Sequence, residues 1–170
     1  MWDREPGFGT LVHIILEQQV SLASAKAAFD RLCREVSPLT PSGLLGLDDE
    51  TMKAIGFSRQ KASYARKLST GILEGSIYLD ELDKLDDEAV RSALLGIDGV
   101  GPWTADIYLL MAMLRPDIWP AGDLALAVAL QRLKGLDSRP DEAAMREFAE
   151  VWRPWRAVAA RVLWHYYLSS

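Results

Sequence analysis

Apolar residues recur three and four positions apart along almost the whole chain, and the strict alternation that marks a half-buried strand is scarce. That period dictates an all-α fold, because a helical stripe is buried only by packing on other helices. Leu11, Ile14 and Ile15 mark a first helix after Pro6-Gly7. Ser21 caps a second, with a stripe of Leu22, Ala25, Phe29, Leu32, Cys33 and Val36, and Pro38 and Pro41 then break the chain. Asp48 or Asp49 opens a short helix that Gly56 closes. Ser58 caps the next, with Ala62, Ala65, Leu68 and Ile72 inward and Gly75 at its end. Two short helices around residues 79–82 and 87–94 lead into a glycine-rich turn. Pro102 starts a helix to about Leu114, Gly122-Asp123 one to about Leu133, Pro140-Asp141 one to Trp152, and Pro154 the last, to Tyr167. The expectation is one compact helical domain over residues 1–170, about ten helices with short loops and no internal repeat, and a monomer.

Composition narrows the class. With 170 residues, 49% hydrophobic and 25% charged, the chain holds a core of ordinary size. Its longest apolar stretches, residues 107–114 and 124–130, fall short of the roughly 20 residues a membrane span needs. The start, Met-Trp-Asp-Arg-Glu-Pro-Gly-Phe, lacks the pattern of a secretory leader. A single cysteine, Cys33, excludes an internal disulfide and a four-cysteine metal or iron–sulfur site. The expected location is the cytoplasm, at the nucleoid if the source is bacterial. A net charge of −5 weighs against a nucleic-acid partner. Its distribution answers part of that objection: acidic residues concentrate at 80–88 and 141–150, whereas Lys53, Arg59, Lys61, Arg66 and Lys67 gather in one short region. Lys61 is a candidate phosphate contact there, although such a run is most often a solvated helix face.

The chemistry concentrates in two places. In Gly96-Ile97-Asp98-Gly99-Val100-Gly101-Pro102, three glycines in six residues run straight into a helix start. The first amides of such a helix lack partners and favour an anion, and Gly99 and Gly101 give a phosphate close access. The alternative is a helix connection that merely needs glycine. The second place is Asp123, which opens the run Leu-Ala-Leu-Ala-Val-Ala-Leu. It is either an ordinary N-cap or a carboxylate that stabilises a cationic sugar as a glycosidic bond breaks, and one residue can serve both ends. Because Asn caps as well as Asp, Asp123→Asn is expected to change stability by only a few tenths of a kcal/mol.

These residues resemble the helix-hairpin-helix, Gly/Pro-rich-loop, Asp superfamily of DNA glycosylases, nearest the 3-methyladenine DNA glycosylase II group. The resemblance rests on Leu95-Gly96-Ile97-Asp98-Gly99-Val100-Gly101-Pro102-Trp103-Thr104-Ala105 and on Pro120-Ala121-Gly122-Asp123. It extends to Gln18-Gln19-Val20-Ser21, Gly56-Phe57-Ser58-Arg59-Gln60-Lys61-Ala62, and Trp152-Arg153-Pro154-Trp155-Arg156 with Trp164, in family order over nearly the whole chain. It implies a base excision repair enzyme that flips a damaged nucleotide out of duplex DNA and hydrolyses its N-glycosidic bond, with alkylated purines such as 3-methyladenine and 7-methylguanine as substrates. By resemblance Asp123 is the catalytic carboxylate and Trp103 and Trp164 stack on the base. Tyr108 is placed beside the pocket, next to Ile107, where a relative has an aromatic. Gln19 fills the gap left by the flipped nucleotide, and Gly99, Gly101 and Thr104 belong to the DNA-binding hairpin. The carbonyls of Leu95, Ile97 and Val100 match a backbone site for a structural Na or K ion; no cofactor is required. Trp103 stands where lyase relatives carry a lysine, which implies hydrolysis without strand cleavage. A glycosylase for deaminated or mismatched bases, a non-catalytic lesion-binding protein and a helical protein-interaction domain are the alternatives.

Overall fold

The computed structural model describes residues 4–169; residues 1–3, which open the segment read for a leader, and Ser170 lie outside the described residues. Among the described residues the chain forms ten α-helices, two 3₁₀ turns and no strand. In order they are α1 (Phe8–Glu17), α2 (Leu22–Glu35), α3 (Pro41–Leu45), α4 (Asp49–Ile55) and α5 (Arg59–Leu73). A 3₁₀ turn at Leu79–Lys84 precedes α6 (Asp87–Leu95), α7 (Pro102–Met111), α8 (Leu124–Lys134) and α9 (Glu142–Ala149). A second 3₁₀ turn, Glu150–Trp152, leads to α10 (Arg156–Ser169). None of these helices is long and apolar enough to cross a membrane.

Two helices lie inside the core rather than on it. Leu11, Val12, Ile14, Ile15 and Leu16 of α1, and residues 104–110 of α7, are all buried. A helix apolar on nearly every side must be surrounded, and α1 accordingly packs on α2, α5 and α7 while α6 lies along α7 and α10 along α8. Polar pairs fix the geometry. Asp106, buried on α7, is paired with Arg91 of α6. Asp117 receives both Nε and Nη2 of Arg156, at 2.7 and 3.0 Å, and Arg161 donates to the Leu110 carbonyl, which ties α10 to the α7–α8 connection. Such bidentate pairs fix orientation as well as distance.

The helix starts follow the caps expected from sequence: Ser21, Ser58 and Asp123 each accept the predicted backbone N–H. The differences are local. Pro41 opens α3 instead of ending order, since its missing N–H is harmless in a first turn and Thr40 caps the helix. Leu22, expected inward, is 60% exposed as the first residue of α2, and Cys33 is half-buried. The helix expected to reach Leu114 stops at Met111, and Leu114 turns the chain with φ 55°. The helix expected to reach Trp152 tightens into 3₁₀ after Ala149, and α10 begins at Arg156 rather than Pro154.

His13 supplies a test of this core. Its ring stacks on Phe29 with centroids 4.2 Å apart, and burial holds its pKa below 6.5 despite the Glu17 carboxylate 3.8 Å away. The unfolded chain therefore takes up this proton first as pH falls. Stability from this site is complete above pH 6.5 and declines as pH drops below it. The melting temperature should fall between pH 7.5 and pH 5.5, and His13→Phe should flatten that fall; an equal slope in the variant contradicts the assignment.

Candidate active site

The α6–α7 connection is a tight hairpin. Val100 N–H donates to the Ile97 carbonyl at 3.0 Å, and Gly99 adopts φ 85°, a left-handed conformation that favours glycine. A Cβ on Gly99 would also lie 2.2 Å from Cγ of Tyr64. At Gly101, φ is −92° and a Cβ would meet nothing within 4 Å, so this position faces open space. Ser21, Thr40, Asp48, Ser58, Asp86, Asp123 and Asp141 each cap a helix with a side-chain oxygen. The start of α7 has no such cap. Its first amides are left for an outside acceptor, which is what anion binding at a helix start requires.

The second residue of α7 holds the reactive candidate. Trp103 Nε1 donates to Oδ2 of Asp123 at 2.8 Å, and Trp164 Nε1, from α10, donates to Oδ1 at 3.0 Å. Oδ1 also accepts the Leu126 backbone N–H at 2.9 Å, which is the N-cap of α8. Asp123 N–H itself donates to the Pro120 carbonyl at 2.9 Å, closing the short turn that aims the side chain. Asp123 is 8% exposed. The other two buried carboxylates among the described residues, Glu17 and Asp106, are neutralised by Arg4 and Arg91. Among the described residues Asp123 is held by neutral N–H donors alone. Such a shell fixes a carboxylate without cancelling its charge, and a fixed, uncompensated negative charge can oppose a cation that forms beside it.

Residues 12–154 match the family of HhH-GPD superfamily base excision DNA repair proteins. The chain belongs to that superfamily. It is 29% identical to DNA-3-methyladenine glycosylase 1 of Schizosaccharomyces pombe over 169 residues, 96% of this chain and 73% of that protein. The YfjP protein of Bacillus subtilis is 28% identical over 165 residues, 92% of this chain; the chain spans 58% of that relative's length. The fold is also similar to the solved structure of S. pombe 3-methyladenine DNA glycosylase (Mag1) in complex with abasic DNA, with a TM-score of 0.90 and 27% identity over 95% of this chain and 81% of that one.

Within this HhH-GPD domain the expected site residues are only partly brought together. The hairpin, Trp103, Asp123 and Trp164 form one contiguous group. Both tryptophans donate their indole N–H groups to Asp123; Trp164 is 6% exposed and Trp103 half-buried. Tyr108 is not a pocket residue: it is 1% exposed and its hydroxyl accepts the Gly7 N–H at 2.8 Å, because its position on α7 faces the α1 side of the core. Thr104, expected to belong to the DNA-binding hairpin, is 2% exposed, and its hydroxyl accepts from Gln18 at 3.0 Å. Lys61 does not reach outward to phosphate. Its ammonium donates to the Leu16 carbonyl at 2.7 Å, and burial lowers its pKa. Gln19 is exposed, with φ 58°. The sequence assigns Gln18 no role beyond its place beside Gln19, yet its amide bridges to the hairpin. A concavity of about 1210 Å³ runs along α4, α5 and the outer edge of the hairpin, and Asp123 is not among its lining residues.

The two hairpin glycines should separate in one experiment. Gly99→Ala should cost about 2 kcal/mol or more, from the left-handed backbone and the overlap with Tyr64. Gly101→Ala should change stability by no more than about 0.5 kcal/mol and still weaken duplex binding, because its methyl enters the space before the α7 amides. Thermal melts and fluorescence anisotropy with duplex DNA check both. A Gly101→Ala protein that binds as tightly as wild type moves the phosphate site elsewhere.

Proposed function

We propose that this chain is a monofunctional DNA glycosylase that hydrolyses the N-glycosidic bond of alkylated purines, of the 3-methyladenine and 7-methylguanine type, in base excision repair. The observation that carries the reading is the buried Asp123 carboxylate, held among the described residues by three N–H donors and by no cation, one of those donors being the second residue of a helix with an uncapped start. The names of its relatives, DNA-3-methyladenine glycosylases of fission yeast and bacteria, support the substrate class.

The α7 amides grip a backbone phosphate while the exposed Gln19 enters the stack where the damaged nucleotide leaves it. Extrusion costs a few kcal/mol and is cheapest for a lesion that pairs or stacks badly. An alkylated purine is cationic, so the half-buried Trp103 ring attracts it more strongly than a neutral base. The positive charge also makes the base a good leaving group without a dedicated acid. As the bond from sugar to base breaks, the electron pair leaves with the base and the sugar becomes an oxocarbenium-like cation. Asp123 opposes that charge while water adds and loses a proton, leaving an abasic site and a free base. Trp103 holds the hairpin-helix position at which lyase relatives carry lysine, so no amine attacks the sugar and the strand stays intact.

The carbonyls of Leu95, Ile97 and Val100 suit a Na or K ion in the hairpin. Among the described backbone hydrogen bonds only the Ile97 carbonyl is engaged, and it keeps a second lone pair. Such an ion would add positive charge beside the amides that meet phosphate.

Duplexes carrying 3-methyladenine, 7-methylguanine, hypoxanthine or uracil test the reading, with base release and strand cleavage measured separately. The methylated purines should be released preferentially, with nicks only after hot alkali. Asp123→Asn should lower that release about 100- to 1000-fold. The structure corrects the sequence-based stability estimate for this variant: one amide NH₂ must face an indole N–H, so the cost rises to about 1–3 kcal/mol. Near-normal excision by the Asn protein, or a borohydride-trapped covalent complex in the wild type, contradicts the mechanism.

A further inference from the structure

We infer that Gln18 is a positioning residue, a strut that locks the Gln19 loop to the hairpin so that phosphate anchoring and nucleotide extrusion act in one register. The inference rests on the proposed function for the role of Gln19 and goes beyond it in assigning Gln18. The loop after α1 is poorly held by its own backbone. Gln18 N–H to Ile15 and Val20 N–H to Glu17 are both stretched to 3.4 Å, at the weak end of the range. Gln19 sits at φ 58°, which a non-glycine residue keeps only when its surroundings hold it there. Two side chains do so. Lys61 Nζ donates to the Leu16 carbonyl at 2.7 Å. Gln18 Nε2 reaches across to the hairpin and donates to the Gly99 carbonyl at 2.9 Å and to Thr104 Oγ1 at 3.0 Å.

The partners of Gln18 are what give it a role. Gly99 is the left-handed residue of the hairpin turn, and Thr104 is a buried residue of the first turn of α7, one position after Trp103. One amide thus joins the loop that enters the DNA stack to the two segments that flank the phosphate-binding amides. Without it, the hairpin and the carboxylate keep their geometry, since Asp123 is held by Trp103, Trp164 and Leu126, while the loop loses its reference to them. A leucine at 18 fills similar space and donates nothing.

The test uses a duplex with a tetrahydrofuran abasic analogue beside 2-aminopurine, whose emission reports insertion of the loop into the gap. At saturating protein, Gln18→Leu should give less than half the wild-type emission change, while affinity for the duplex stays within about twofold, under 0.5 kcal/mol. Single-turnover release of 7-methylguanine should fall about tenfold, and Gln18→Leu/Gln19→Ala should lose little more than Gln19→Ala alone, because coupled residues are not additive. A role in general stability moves none of these together: losses would multiply, and emission at saturation would match wild type. Either result overturns the strut. If Gln18→Leu does not fold, Thr104→Val decides by the same readouts, with Thr104→Ser expected to restore them. A wild type that shows the emission change and releases no base counts against the glycosylase chemistry and leaves the strut supported.

Discussion

A carboxylate buried without a cation is the most demanding feature of this molecule, and much of the architecture answers it. Removing Asp123 from water would cost several kcal/mol if its oxygens were unpaired. Three N–H groups offset that cost, one each from α7, α10 and the first turn of α8. Hydrogen bonds to a charged acceptor are stronger than neutral ones and shorter, and the observed lengths of 2.8 to 3.0 Å are in keeping. Each donor is held in place by pairs at a distance. Arg91 and Asp106 set α7 against α6, and Arg156 and Asp117 set α10 against the chain entering α8. Arginine pairs with Glu17, Asp106 and Asp117, and among the described residues Asp123 is the buried carboxylate with no cationic partner.

Helix α7 makes the two halves of the site a single body. Its open N-terminus offers amides to a phosphate, and its next residue, Trp103, holds the carboxylate. Any acceptor at these amides would therefore stand at a fixed offset from Asp123. That offset needs no loop to be ordered on binding, and little entropy is lost in setting it. In a chain of net charge −5, backbone dipoles supply a local positive potential at the start of α7.

Most of the fold was legible in the sequence because caps and apolar period agree at nearly every helix. Ser21, Ser58, Asp123 and Asp141 start helices as read. Pro41 misled because proline both stops a helix and starts one, and only the Thr40 cap tells which. In the candidate site, the cap at Asp123 and the glycine turn were readable from type and position. The direction of side chains was not. Thr104 and Tyr108 sit in the right segment, but α7 is buried on most of its circumference, so these two face the core. Lys61 reads as surface charge and is spent on a helix C-terminus. The indole–carboxylate bonds span 20 and 41 residues and the Gln18 bridge 81 and 86, and no local pattern encodes contacts at such separation.

The claim on which all of this turns is that Asp123 presents a fixed negative charge to a cationic sugar. Binding of two abasic analogues, measured side by side, reads that directly. One is a neutral tetrahydrofuran and the other a pyrrolidine, protonated at neutral pH, which mimics the charge of the oxocarbenium ion. An uncompensated carboxylate predicts that wild type prefers the pyrrolidine duplex by about 100-fold or more, as transition-state mimics are preferred, and that Asp123→Asn binds both alike. Equal preference for the charged analogue in wild type and variant would contradict it, and would leave Asp123 as no more than the cap of α8.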